Sequence, residues 1–296
     1  MTRYVSALDA EAIDRVAEQT LDRWGGGRRL EAHRARIGDQ IARAEGRARY
    51  AGLVDDEAVV CSTMRHALTL DTPEGAVATV GIGAVFTPPC RRRQGLATAL
   101  VSEILDEARR GGCGAALLFS DVAPAMYERL GFVRLSSVTW SCRVGALPAG
   151  EVPECHPSDD LDLLCGWRRS RYRTPWLQTR HDPSSWRYGA WRNGTGGAML
   201  IGPTQDPCGY VVAHRIDDVL WVDDADADDR SALWACLAAM AEGATTVAGW
   251  LRADMVVGPF VAHPRAECVP MVAPLDDRIM KGLRDWRSHF SSLDHL

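Results

Sequence analysis

The chain has 296 residues, of which 46% are hydrophobic and 25% are charged. These values are typical of globular proteins and exclude extensive disorder, and the length suits two domains of about 150 residues. The formal net charge of -5 argues against a dedicated nucleic-acid-binding protein, because such proteins usually present a basic face. No stretch of about 18 apolar residues predicts a membrane span.

The nine cysteines are scattered, with no C-x-x-C pair and no Cys/His cluster at zinc spacing. Their odd number, and an N-terminal segment without the apolar core of a signal peptide, favour reduced thiols. We therefore expect a cytoplasmic protein that contains no metal.

The first half of the chain predicts the order helix, helix, three strands, helix, strand, short helix, strand. The hydrophobic spacing indicates helices over Asp9–Asp22 and Arg29–Arg43, a helix opened by Gln94 and a short helix begun by Pro124. The predicted strands are Arg49–Asp55, Ala58–Leu70, Ala76–Thr87, Ala115–Phe119 and Val133–Val144.

The stretch Val80–Leu100 joins a predicted strand to a predicted helix through a basic turn. Pro88 and Pro89 end the strand, three arginines follow, and Gln94 and Gly95 lead into the amphipathic repeat. Unpaired backbone N–H groups and the helix dipole favour a phosphate at such a helix start. A glycine there lets the backbone approach the anion. The stretch therefore predicts a diphosphate-binding turn, and the absence of G-x-G-x-x-G and G-x-x-x-x-G-K-[ST] disfavours a dinucleotide fold or a nucleotide triphosphatase.

Two motifs in this half resemble those of the GNAT superfamily of N-acyltransferases. Residues 92–97 (R-R-Q-G-L-A) fit the [Q/R]-x-x-G-x-[G/A] pattern that holds the pyrophosphate of acetyl-CoA, and Ala123-x-x-x-Tyr127-x-x-x-Gly131-Phe132 resembles the second motif. The family usually has Asn seven residues before the tyrosine, where this chain has Ser120. The segments around both motifs look most like the fungal lysine side-chain acetyltransferases, and are similar also to the two-lobed enhanced-intracellular-survival type.

The resemblance implies how acetyl-CoA, the acyl donor, is bound. Backbone groups at the end of the strand would address the acetyl carbonyl and the pantetheine arm, and the helix start would take the pyrophosphate with charge from two arginines. The cofactor-binding residues expected from the resemblance are Val85, Phe86, Thr87, Arg92, Arg93, Gln94, Gly95, Leu96, Ala97, Thr98 and Ser120. A solvated charge run is the alternative interpretation of the arginines.

Three further residues are candidates for chemistry or acceptor binding. Tyr127, protonated at neutral pH, can donate a proton to the departing coenzyme A thiolate; the alternative is a core aromatic. Asp121 directly follows a buried strand and either orients the acceptor ammonium or caps the helix begun at Pro124. Trp24, before three glycines, is either a wall of an acceptor-side lid or part of an ordinary connector.

The second half repeats the order helix, strands, helix, strand after a Gly- and Pro-rich linker at Val144–His156. Its predicted helices are Ser158–Arg171, Asp182–Ala190, Asp229–Glu242 and Asp276–Trp286, and its predicted strands are Ala198–Ile201, Gly209–His214, Val219–Val222, Thr245–Leu251 and Cys268–Ala273. In place of the arginine turn it carries the acidic run Asp223–Asp229, interpreted as an acidic helix start that would repel a pyrophosphate.

We therefore predict an α/β fold with mixed sheets (α+β). A catalytic GNAT domain over residues 1–145 precedes a degenerate GNAT-like domain over residues 155–296 that covers the acceptor site. In some two-lobed relatives the terminal carboxylate enters that site as a base. The resemblance thus makes Asp294, His295 or the Leu296 carboxylate a candidate, and a frayed terminus is the alternative.

The predicted function is acetyl-CoA-dependent transfer of an acetyl group to a primary amine of a small molecule by direct attack, with Tyr127 as general acid. The resemblance points to a lysine-like amino acid or a cationic metabolite. Alternatives are an aminoacyl-tRNA-dependent acyltransferase on the same fold and a non-catalytic acyl-CoA-binding sensor. We expect no membrane or nucleic-acid partner, and a monomer or homodimer.

Overall fold

The computed structural model describes residues 2–121, 124–148, 150–171, 176–195, 197–256, 258–283 and 285–296. In chain order the helices are α1 (Ala10–Trp24), α2 (Leu30–Arg43), α3 (Leu96–Arg110), α4 (Pro124–Glu128), α5 (Leu161–Arg171), α6 (Pro183–Asn193), α7 (Arg230–Met240) and α8 (Asp277–Gly282). The strands are β1 (Arg3–Val5), β2 (Ala48–Asp55), β3 (Ala58–Thr72), β4 (Gly75–Phe86), β5 (Ala115–Ser120), β6 (Val133–Arg134), β7 (Val138–Arg143), β8 (Cys155–Ser158), β9 (Trp176–Thr179), β10 (Ala198–Ile201), β11 (Gly209–Ile216), β12 (Val219–Ala227), β13 (Thr246–Gly249), β14 (Val261–Pro264), β15 (Val269–Pro274) and β16 (Arg287–Ser288). None of these helices, within the ranges given, is long and apolar enough to cross a membrane.

The chain forms two compact units that do not follow its sequence halves. The first unit runs to Leu135 and also contains Glu267–Trp286 and Leu296, whereas the second unit comprises Ser136–Ala266 and Arg287–His295. The predicted boundary near residue 145 therefore differs from the observed division.

The difference arises because two strands are exchanged between the sequence halves. The strand predicted over Val133–Val144 is two strands, of which β6 pairs with β15 and β7 pairs with β13 and β14. Strand β15, predicted for the second half, pairs with β5 in the first unit. A strand belongs to the sheet with which it exchanges backbone hydrogen bonds, and sequence order does not determine that sheet.

The first unit is built on a sheet with the order β1-β2-β3-β4-β5-β15-β6. Strands β4 and β5 are parallel, and α3 connects them, as parallel neighbours require. The amphipathic spacing of α3 buries Leu100, Val101 and Ile104 against this sheet, where they join Ile82 and Leu118 in one core. This packing fixes the start of α3 near the ends of β4 and β5.

The second unit repeats this arrangement on a sheet with the order β14-β7-β13-β12-β11-β10-β8. Strands β12 and β13 are its parallel neighbours and α7 connects them. Leu237 of α7 is fully buried in one core with Val222 and Val247 of the two strands. The predicted mixed α/β architecture with a second, similar lobe is therefore confirmed.

The acidic run lies mainly in β12, so its interpretation as a helix start was wrong for three of its five carboxylates. Asp223, Asp224 and Asp226 are buried in this strand, and only Asp229 caps α7, where it accepts a hydrogen bond from the Ser231 N–H (2.8 Å). A buried carboxylate is tolerated only with a partner.

Each buried carboxylate of β12 has a basic partner. The guanidinium of Arg168 contacts Asp224, His214 Nδ1 lies 2.6 Å from Asp223, and Arg252 lies 3.4 Å from Asp226. These partners lie 9, 26 and 56 residues from their carboxylates in the sequence, so the pattern of the run itself does not indicate them.

Candidate active site

A cavity of about 750 Å3 lies at the carboxyl ends of β4 and β5 in the first unit. The predicted site residues that line it are Trp24, Val85, Phe86, Thr87, Arg92, Arg93, Gly95, Leu96, Ala97, Thr98, Ser120, Asp121 and Tyr127. Gln94 and Leu296 are not in its wall, and Ala123 of the tyrosine motif lies outside the described residues. Parallel strands bring their carboxyl ends to one edge of a sheet, which is where open α/β sheets bind ligands.

A β-bulge interrupts β4 where it enters the cavity wall. Met64 of β3 pairs with Gly83 and Ser62 pairs with Phe86, so Ala84 and Val85 together face a single residue of β3. Ala84 has a φ of 51°, in the left-handed region that residues other than glycine rarely adopt. A bulge removes backbone groups from the ladder and so leaves them available to a ligand. The resemblance implied free backbone groups around Val85 to Thr87, but no sequence pattern predicted the bulge.

The turn that leads into α3 exposes the first backbone N–H groups of that helix to the cavity. A short 3-10 helix (Pro89–Arg91) follows the strand, and Gly95 is the N-cap of α3 with a φ of 76° and no side-chain capping hydrogen bond. A Cβ at Gly95 would meet no atom within 4 Å, so glycine is favoured there by backbone conformation and not by lack of space. The helix begins at Leu96, two residues after the predicted start.

The cavity wall is strongly basic. Five arginines line it, namely Arg23, Arg91, Arg92, Arg93 and Arg129, and Asp121 is the one acidic residue among the described residues of the wall. Two of the arginines are partly engaged, because Arg91 lies 3.8 Å from Asp55 and the Arg92 Nε–H donates to the Thr87 carbonyl (3.2 Å). This charge balance suits a polyanion. Sequence reasoning did not select Arg23 or Arg129, because neither belongs to a run of basic residues.

Tyr127 lies on α4 and packs edge-on against Phe132, with 5.9 Å between the ring centroids. Burial raises the pKa of Tyr127 to about 12, with smaller contributions from Cys61 and Asp121. The phenol therefore stays protonated at neutral pH and can donate a proton or a hydrogen bond.

Asp121 follows β5 and is held by a residue from the far end of the chain. The backbone N–H of Cys268 donates to Asp121 Oδ1 (3.0 Å), and the Cys268 thiol donates to the same oxygen (3.1 Å). Cys268 has a φ of 51° and directly precedes β15, whose pairing with β5 brings it to this edge. No local pattern in the sequence could have predicted this contact.

Trp24 ends α1 and forms part of the cavity wall. Its ring packs edge-on against Phe86, with centroids 5.6 Å apart, and its side chain is 38% exposed. The three glycines that follow return the chain to α2, with Gly26 and Gly27 at positive φ. The loop is thus a tight connector whose aromatic residue faces the cavity.

The terminal residue, Leu296, lies against two glycines of β4. A Cβ at Gly83 would lie 2.9 Å from the Leu296 carboxyl carbon, and one at Gly81 would lie 2.7 Å from Leu296 Cδ1. Gly83 is also part of the cavity wall. The absence of side chains at both positions therefore makes room for Leu296 at the edge of the cavity.

Asp294, two residues earlier, forms ionic contacts within the second unit. It is buried there, with Oδ1 2.5 Å from His181 Nε2 and Oδ2 3.2 Å from an Arg168 nitrogen. Burial alone would raise its pKa, but Arg168 and His181 outweigh this effect and lower the pKa below its usual range. Its carboxylate is therefore part of an internal ionic network.

Residues 8–134 match a family described as "Acetyltransferase (GNAT) domain". Over this segment, which is less than half of the chain, the sequence is similar to a GNAT acetyltransferase domain. The matched segment includes the residues that line the cavity, and the family that it matches is one of acetyltransferase enzymes. A search of curated protein sequences finds no match.

Solved structures similar to the whole chain share this fold. A GCN5-related N-acetyltransferase from Anabaena variabilis has a TM-score of 0.75 at 16% identity, with coverage of 94% of this chain and 74% of the other. One from Kribbella flavida has a TM-score of 0.74 at 20% identity, with coverage of 94% and 72%. A tandem GNAT protein from the clavulanic acid biosynthesis pathway has a TM-score of 0.52 at 12% identity, with coverage of 93% and 99%. These likenesses confirm the predicted GNAT fold followed by a GNAT-like second lobe.

Proposed function

We propose that the GNAT domain transfers the acetyl group of acetyl-CoA to a primary amine of a small molecule by direct attack. The observation that carries this proposal is that one cavity wall combines the bulged end of β4, the basic turn before α3 and the protonated Tyr127. These are the three groups that thioester aminolysis requires, since the donor must be anchored, its carbonyl polarised and its sulfur protonated.

The pyrophosphate of acetyl-CoA binds at the start of α3. The uncapped N–H groups after Gly95 and the helix dipole favour the anion. Arg92 and Arg93 add charge-assisted hydrogen bonds.

The acetyl carbonyl lies at the bulge, where backbone N–H groups of Ala84 and Val85 no longer belong to the β3–β4 ladder. The amine attacks the carbonyl carbon, negative charge develops on the oxygen, and these fixed N–H donors stabilise it. The C–S bond then breaks, and Tyr127 donates its proton to the departing sulfur. The proton that the amine loses restores the neutral tyrosine through solvent, so that the reaction yields one amide and one thiol.

The acceptor carries a cationic amine, and the resemblance favours a lysine-like amino acid or a related cationic metabolite. Asp121, the acidic residue of the wall, orients the ammonium while Trp24 provides an apolar face. The Leu296 carboxylate, beside Gly83, serves as the base that accepts a proton from the ammonium.

We also propose a cytoplasmic location, because all nine cysteines are free thiols.

The release of coenzyme A thiol with acetyl-CoA, measured over a panel of amino acids, polyamines and aminoglycosides, tests the activity. We expect at least one cationic amine to accelerate release, and mass spectrometry should find its mono-acetylated product. Acetyl-CoA binding without acceleration by any amine would replace this proposal with that of an acyl-CoA sensor.

Two tail variants test the role of the terminal carboxylate without removing Asp294. A single glycine appended after Leu296 displaces the carboxylate and should lower kcat about tenfold or more. Leu296→Ala keeps the carboxylate and should retain most of the activity. Full activity of the extended protein would remove the tail from the mechanism.

A further inference from the structure

The bulge at the end of β4 is held by a buried threonine that faces it. Thr63 of β3 is the single residue opposite Ala84 and Val85, and its hydroxyl donates a hydrogen bond to the Gly83 carbonyl (2.7 Å). Its side chain is fully buried. On its other side the backbone of Thr63 pairs with Ala51 of β2, so Thr63 lies on an interior strand of the sheet.

This hydrogen bond determines the direction of a particular peptide group. The Gly83 carbonyl and the Ala84 N–H belong to one planar trans peptide, in which the two groups point in opposite directions. When the carbonyl is directed towards Thr63 on the β3 side, the N–H is directed towards the β5 side. The pairs of β4 with β5 end at Ile82 and Leu118, one residue before Gly83. The Ala84 N–H therefore faces the space beyond the paired part of the two strands, where the cavity lies.

We propose that Thr63 is a positioning residue for the acetyl-transfer step: by holding the Gly83 carbonyl it directs the Ala84 N–H at the thioester oxygen. This inference rests on the proposed function, because it assigns the bulge to the acetyl carbonyl. Thr63 is not in the cavity wall and acts only through the backbone of β4. The left-handed conformation of Ala84 supports it, since strained backbone persists where the surroundings hold it in place.

Exchange of Thr63 for valine and for serine separates this role from packing. Thr63→Val keeps the shape and removes the donor, while Thr63→Ser keeps the donor. With the best amine of the panel, we expect Thr63→Val to lower kcat between about 10-fold and 100-fold, because the carbonyl donor is misplaced but not lost. The affinity for coenzyme A, which has no acetyl carbonyl, should be unchanged. Thr63→Ser should stay within about twofold of the wild type in both measurements.

Thr79→Val provides a matched control for the loss of a buried threonine hydroxyl. Thr79 lies on β4, is buried, and donates to the Val77 carbonyl (3.0 Å), away from the bulge. Its valine variant should lower the melting temperature without lowering kcat. If Thr63→Val unfolds the protein, Thr63→Ala replaces it, with the same expectation for kcat.

A spectroscopic measurement tests the inference independently of turnover. The infrared carbonyl stretch of 13C-labelled acetyl-CoA should shift to lower frequency on binding to the wild type and should shift less in Thr63→Val. A wild-type kcat and an unchanged shift in Thr63→Val would overturn the inference, as would equal losses in the serine and valine variants. If no amine is acetylated, the proposed function fails, whereas the infrared comparison still decides the role of Thr63.

Discussion

The two units use the same backbone arrangement at the junctions β4–α3 and β12–α7, and the basic cavity described above lies at the first of these junctions. In each case the first of two parallel strands carries a bulge before the connecting helix. The bulge in the second unit is at Asp223, because Val212 pairs with Asp224 while Ala213 pairs with Val222. The bulged strand before the connecting helix is therefore common to both units, and the two junctions differ in their side chains.

The side chains decide the difference. In the first unit the bulge residues Ala84 and Val85 are small or aliphatic, and the basic turn Thr87–Gly95 follows. In the second unit the bulge residue is an aspartate, fully buried, that accepts hydrogen bonds from His214 (2.6 Å) and Asn193 (3.1 Å). The carboxylate of Asp223 thus lies at this bulge, and its negative charge would repel a thioester oxygen or a phosphate. A strand–helix junction of this kind binds an anionic ligand only where its side chains leave the backbone N–H groups accessible and the nearby side chains are positively charged.

The largest expected effect comes from breaking the ionic network of the second unit. Asp294→Asn removes the charged partner of the buried His181 and leaves Arg168 paired with Asp224, and breaking such a buried pair costs about 3–5 kcal/mol. We expect a clearly lower denaturant midpoint and an unchanged affinity for acetyl-CoA in the folded protein. Loss of acetyl-CoA affinity at conditions where the variant is folded would contradict the assignment of this network to stability alone.

The same carboxylate makes stability depend on acid pH. Because the folded pKa of Asp294 is lowered, its contribution is complete above the unfolded pKa of about 3.9 and is lost as pH falls through the folded pKa. The difference in melting temperature between wild type and Asp294→Asn should therefore be constant near neutral pH and shrink below about pH 4. A difference that grows towards acid pH would contradict the lowered pKa.

The next largest effect should come from Tyr127 in the cavity of the first unit. Tyr127→Phe should lower kcat about 100-fold, within the usual range for loss of a general acid, with little change in affinity for acetyl-CoA. With a pKa of about 12, Tyr127 keeps its proton throughout the pH range of ordinary assays, so its ionisation should cause no loss of kcat up to about pH 10. Unchanged turnover in Tyr127→Phe across that range would remove the residue from this role.

The smallest effect should come from a single charge of the basic turn. Arg93→Gln should weaken acetyl-CoA binding about fivefold to tenfold by loss of one charge-assisted interaction, and less at high salt. Arg110 lies in the last turn of α3, the helix that follows the basic turn. Arg110→Gln makes the same change in net charge away from the cavity and should leave acetyl-CoA binding unchanged. Equal effects of both variants would show that the turn acts only through the overall charge.

The sequence by itself determined the features that depend on neighbouring residues. Hydrophobic spacing predicted α3 and β5 to within two residues, and the order of prolines, arginines and Gly95 predicted a basic, glycine-bearing turn at the start of α3. Pro124 predicted the start of a short helix that carries Tyr127. These elements follow local rules of periodicity and capping, and they include most of the residues that line the cavity.

Only the tertiary structure decided which strand belongs to which sheet and how the buried charges are paired. The exchange of β7 and β15 places Cys268 beside Asp121, 147 residues away, and the pairing of β3 with β4 places Thr63 opposite the bulge. The carboxylates of β12 are interior because Arg168, 56 residues before Asp224, and other basic groups neutralise them. Such contacts depend on strand pairing and charge pairs between segments that are distant in the sequence. Local sequence patterns do not predict them, because they do not specify which segments pair.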